Sequence, residues 1–194
     1  MKKHGALTIF QMILMILLSL GTIGAMVKFL VSCINSEGMD SFSDLANCIL
    51  MILILMMLAF GIVYLLKGSS KRAAKFYRTF LYMHIAVCVL TIIIDLGFYR
   101  VTILMVLISI LNACKIAVLA ILAFGKDLGR RKTWTLFYIL LALDAVKLIL
   151  AIINMANIGF DFSFIGYVTA LIADGTIGLA VKAKYDDKKA RGKE

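Results

Sequence analysis

The sequence predicts an all-α polytopic membrane protein: six transmembrane helices arranged as three hairpins, with both termini cytoplasmic. Three observations carry that expectation. Of the 194 residues, 63% are hydrophobic and none is proline, and the mean hydropathy is +1.02. Ordinary soluble domains are only about half apolar. Next, six apolar stretches are each long enough to cross a hydrocarbon core of about 30 Å as a helix rising about 1.5 Å per residue. Last, the basic residues gather in every second connection.

The first segment, about 8–32, follows Lys2 and Lys3 and is a long apolar run with Lys28 near its end. Its end, Leu30-Val31-Ser32-Cys33, resembles a bacterial lipoprotein cleavage box. The apolar run before that box is longer than the usual about 7 to 15 residues and Lys28 interrupts it, so an uncleaved first helix is expected. The second segment, about 45–66, has Asn47 near one end and then an unbroken run of Ile, Leu and Met. With no polar stripe it is expected to face lipid or pack at the periphery.

The remaining four segments carry polar stripes. In the third, about 76–97, His84, Cys88, Thr91 and Asp95 recur at helical spacing on one face. The fourth, about 101–124, aligns Ser109, Asn112 and Lys115. The fifth, about 134–155, presents Asp144, Lys147, Ala151 and Asn154, with Asp144 and Lys147 three apart and able to pair. The sixth, about 162–183, repeats Gly166, Ala170, Asp174 and Gly178 every fourth residue, a small-residue stripe that admits a close neighbour and holds one acid.

Orientation follows the positive charges. Lys2 and Lys3, the stretch Lys67 to Arg78, the stretch Lys126 to Lys132 and the basic tail 184–194 fall on one side. The other side has Lys28 and Arg100 but also Glu37, Asp40, Asp44, Asp95 and Asp161. The positive-inside rule then puts both termini in the cytoplasm. The net charge of +10 is a topology signal rather than a nucleic-acid footprint, because the charges are spread over short connections. Aromatics at segment ends, Phe76 and Tyr77, Trp134, Phe137 and Tyr138, and Phe160, Phe162 and Phe164, read as interfacial anchors. The whole chain reads as one membrane domain of a bacterial plasma (inner) membrane, with the lipid bilayer as its first partner.

Lys115, Asp144 and Asp174 lie about ten residues from the nearest basic connection, roughly 15 Å deep and so at the bilayer midplane. Each charge there costs about 2.5 to 3.5 kcal/mol on insertion scales, so such residues pair, hydrate a cavity or carry function. The expected site for a small polar solute or ion is Lys115, Asp144, Lys147 and Asp174, supported by His84 and Asn112. The contrasting expectation is a non-catalytic accessory subunit whose buried charges tie helices together, or meet a partner membrane subunit or a second copy of the chain. Two histidines, His4 and His84, and scattered cysteines give no metal-ligand spacing, and nothing implies a cofactor. Cys33 and Cys48 flank the longest outer connection and could be bridged in an oxidising exterior.

His84 with Cys88 resembles, in position along a short basic membrane chain, the histidine and cysteine of the peptide-processing membrane endopeptidases of bacterial quorum sensing. That resemblance would imply a thiolate nucleophile at Cys88 with His84 as its base. In that family the two residues are more widely spaced and sit in a glycine-rich setting, which Phe80 to Cys88 does not reproduce. The expectation is a protein that is not an enzyme.

Overall fold

The computed structural model describes residues 5–67, 71–98, 102–125, 128–158 and 163–190; side chains are described except at 71–72, 155–158, 163–165 and 184–190. The described residues form six helices: α1 (Ala6–Asn35), α2 (Met39–Lys67), α3 (Lys71–Gly97), α4 (Ile103–Phe124), α5 (Arg130–Ile158) and α6 (Ser163–Ala190). Five of them, α1 to α5, are long and apolar enough to cross a membrane. Helices are what such a sequence must form in hydrocarbon, because they satisfy backbone N–H and C=O groups within one segment. Side-chain hydroxyls follow the same logic and bond back to their own helix. Ser19 donates to the Met15 carbonyl, Thr22 to Leu18 and Thr91 to Val87, each at 2.8 Å.

The ends are set locally. The first helix runs unbroken through Leu30 to Cys33 and stops at Ser36, whose hydroxyl donates to the Ser32 carbonyl at 2.8 Å. Gly38 makes the turn into α2 at φ +64, a left-handed conformation that suits glycine. Thr102 caps α4 by accepting from the Met105 N–H at 3.2 Å. Cys33 and Cys48 are free thiols: Cys33 donates to the Ser41 carbonyl at 3.5 Å and Cys48 to the Met26 carbonyl at 3.7 Å.

Each helix packs on its neighbour in sequence, and α6 returns against α1 and also touches α2. The bundle is therefore closed, and α6 lies on its inside. None of residues 166–181 is exposed, whereas α1 turns Leu7, Phe10, Leu17 and Leu20 outward. The least apolar helix is thus the most enclosed one. Its central part holds Asp174, Gly175, Gly178 and the buried Thr169 and Thr176, which suit contact with protein and not with lipid.

The second helix corrects an expectation. Far from peripheral, α2 supplies Leu50, Ile54, Met57, Leu58 and Leu65 to the core around Met15, Phe80 and Leu81. Gly61 makes room there, since a Cβ at that position would meet the Met15 methyl and the Phe80 ring. In lipid the outward face of a helix is as apolar as its inward face, so an all-apolar run leaves the buried side unmarked. Two of the expected interfacial anchors also point inward. Phe137 is buried, with its ring against Gly178, and Tyr77 packs between Tyr64 (centroids 5.2 Å apart) and Phe80 (6.5 Å). Phe160 and Phe162, the Phe164 side chain, Arg100, Asp161 and the side chains of the basic tail lie outside the described residues.

Candidate functional site

The residues that the sequence places at mid-depth converge on one buried cluster. His84 and Asp144 stand at the midpoints of α3 and α5, and Lys115 and Asp174 lie within three residues of the midpoints of α4 and α6. Four helices therefore bring ionisable groups to one level. Lys115 and Asp174 are 0% exposed, His84 and Asp144 1% and Lys147 2%.

Antiparallel packing of α4 on α5 sets the first part of the network. Lys115 donates to Asp144 Oδ2 at 2.5 Å; three residues back along α4 and three forward along α5, Lys147 donates to Asn112 Oδ1 at 3.0 Å. The two contacts are rungs of one ladder. Lys147 also lies 2.6 Å from Asp144 Oδ1, across one turn of its own helix, so Asp144 holds a lysine at each oxygen. Asn112 orients Lys147, and the buried Ser109, three residues before it on α4, has no hydrogen-bond partner among the described residues.

The second part of the network is less complete. Lys115 reaches across to Asp174 Oδ2 on α6 at 3.2 Å, an ion pair whose alignment falls short of a hydrogen bond. The other oxygen, Asp174 Oδ1, faces His84 Nδ1 at 3.7 Å. That separation exceeds hydrogen-bond length, and neither atom has another partner among the described residues. The Phe80 ring backs the imidazole edge-on, with centroids 5.9 Å apart. Asp174 is thus a fully buried acid with no hydrogen bond to either oxygen, beside an Asp144 that has one hydrogen bond, from Lys115, and a close ion pair with Lys147 at its other oxygen. Two lysines and two carboxylates cancel in formal charge, which lowers the cost of burying the cluster.

All six residues expected at the site, His84, Asn112, Lys115, Asp144, Lys147 and Asp174, are together in this network. The outer members of the stripes are less enclosed, with Thr91, Asp95 and Asn154 half-buried. Sequence reasoning missed Gln11. Its amide reaches from α1 to the Ile172 carbonyl at 2.5 Å and to Thr176 Oγ1 at 3.3 Å, passing over Gly175, where a Cβ would lie 3.0 Å from the amide. The signal was there to be seen: Gln11 is the one amide in the first segment, and an amide inside a membrane helix needs a partner. Among the described residues no three His, Cys, Asp or Glu side chains are placed to hold a metal ion. Comparison with models of protein families, with curated proteins and with solved structures finds no match to the chain.

Proposed function

We propose that this chain is a small transporter, or a solute- or ion-binding membrane module, that uses the cluster of Lys115, Asp144, Lys147, Asp174, His84 and Asn112 at the bilayer midplane. In this reading α6 is the sixth span. Its 28 residues, about 42 Å of helix, lie among spanning helices, and its acid is answered by Lys115. Both termini are placed on the cytoplasmic side of a bacterial plasma membrane by the basic connections. The observation that carries the reading is Asp174. A helix tie would set a cation close against each oxygen of a buried carboxylate, as Lys115 at 2.5 Å and Lys147 at 2.6 Å do on Asp144, whereas Asp174 has Lys115 at 3.2 Å on one oxygen and an uncommitted imidazole nitrogen at 3.7 Å from the other. Unsatisfied ionisable groups at mid-membrane mark solute, ion or proton pathways. No catalytic role is assigned: Cys88 is a buried thiol, and the adjacent imidazole faces Asp174.

One observation favours a second reading, an accessory subunit. Gly21 and Gly24 on α1 are exposed, and nothing lies within 4 Å of a Cβ built at either, so a small-residue face is open to another membrane helix.

Thermal unfolding of the protein in detergent, across common ions and a metabolite set, separates the two. The transport reading expects a solute or ion to stabilise the wild type, by about 2.7 kcal/mol at a hundred times its dissociation constant, and to leave a folded Asp174→Asn variant unmoved. No response from the wild type to any ion or solute, with variants that collapse, would transfer the assignment to the accessory subunit.

A further inference from the structure

We propose that Asp174 and His84 form a one-proton site, with a single exchangeable proton held between Asp174 Oδ1 and His84 Nδ1. The inference deepens the transport reading, on which it rests, by naming the ion. The geometry carries it. The two atoms face each other at 3.7 Å, both residues are at most 1% exposed, and neither atom has a hydrogen-bond partner among the described residues. A water placed in line between them would need about 5.5 Å, so the line joining the two atoms has room for a proton and not for a water. Closing it by about 1 Å brings a nitrogen and an oxygen to charge-assisted hydrogen-bond distance.

The groups around the pair make proton uptake consequential. From α4 comes Lys115, and from α5 come Asp144 and Lys147, whose charges all act on His84; Lys115 and Asp144 act on Asp174 as well. The pair's own helix α3 adds Tyr77 and Cys88, and α2 adds Tyr64 beside Tyr77. From α1 the neighbour is Gln11, which is uncharged, and no titratable residue lies between Ala6 and Val27. The proton comes from solvent as hydronium, which loses one O–H bond and leaves as water; one N–H or O–H bond forms at the pair. The cluster goes from formal charge zero to +1. A proton shared by Asp174 weakens that acid's hold on Lys115, while Lys115 to Asp144 and Lys147 to Asn112 persist. Uptake therefore loosens α4 from α6 and leaves α4 locked to α5.

The test is ¹⁵N magnetic resonance of the imidazole in lipid nanodiscs, on a His4→Gln background so that His84 is the one histidine observed. The expected result is a single titration of the His84 ring nitrogens between about pH 4.5 and 9, whose midpoint moves by at least one pH unit, a tenfold change in proton affinity, in Asp174→Asn. Should Asp174→Asn fail to fold, Asp174→Glu keeps the charge, lengthens the arm by one methylene and is expected to move the midpoint too. Ring resonances constant over the whole range, or a midpoint indifferent to the acid, would overturn the proposal. Failure of the two ideas is distinguishable. A titrating His84 in a protein that responds to no solute keeps the proton site and removes the solute, whereas a silent His84 in a solute-stabilised protein removes the proton site alone.

Discussion

The first and last helices touch each other through Gln11, Met15 and Thr176, yet they are built in opposite ways. The α1 helix is the more apolar and shows most of its side chains to the outside; α6 carries an acid, glycines and threonines and shows none between 166 and 181. In water the polar helix would be the outer one. Here the solvent is hydrocarbon, so a leucine gains little by leaving the surface and a carboxylate must be answered by protein. The difference teaches that in this bundle polarity, and not hydrophobicity, marks the inside.

The largest effect that could break the comparison is at Lys115. Replacing it by methionine takes the lysine from Asp174 and leaves Asp144 with Lys147 alone, and unfolding in mixed micelles is expected to show a loss of about 3 to 5 kcal/mol, the cost of removing one partner from a buried charge set. A variant as stable as wild type would mean that water reaches the cluster. Second in size is the contrast between the acids. Asp144→Asn releases two lysines and should lower stability by about 3 kcal/mol, whereas Asp174→Asn, which leaves Lys115 on Asp144, should cost less than half of that. Equal losses in the same assay would remove the distinction between an acid held by two lysines and one reached by Lys115 alone.

Glycines sharpen the comparison further. A Cβ at Gly178 on α6 would come within 2.6 Å of the Phe137 ring, so Gly178→Ala is expected to cost about 1 to 3 kcal/mol by overpacking. On α1, Gly21→Ala meets open space and should be neutral or stabilising by up to about 1 kcal/mol, through helix propensity. Thermal scans of the pair, read against wild type, check both signs. The smallest effect is at the contact between the two helices: Gln11→Leu gives up bonds to Ile172 and Thr176 and should cost about 0.5 to 1.5 kcal/mol.

Much of this molecule was legible in its sequence for plain reasons. Apolar runs of spanning length, with no proline, leave the helix as the only backbone arrangement hydrocarbon tolerates, so six helices follow from the chain alone. His84, Lys115, Asp144 and Asp174 could be set at one depth because rise per residue converts position into height. The ladder of Lys115 and Lys147 against Asp144 and Asn112 was half visible, since three-residue spacing on one helix is a local property. What was misread shares one cause. The second segment offered no polar stripe and so no clue to its buried face, and its Leu58 and Met57 look the same in sequence whether they meet lipid or Phe80.

The sequence by itself determined the helices, their approximate limits and the position of each charge along its helix, because these depend on hydrogen bonding and hydropathy along a single segment. Only the tertiary structure decided that α6 is enclosed, that Lys115 is shared between two acids and that Asp174 is left facing His84. Those facts depend on how each helix is rotated about its axis and which neighbour it meets, and in a uniformly apolar solvent that is settled by side-chain fit and ion pairing between segments far apart in the chain.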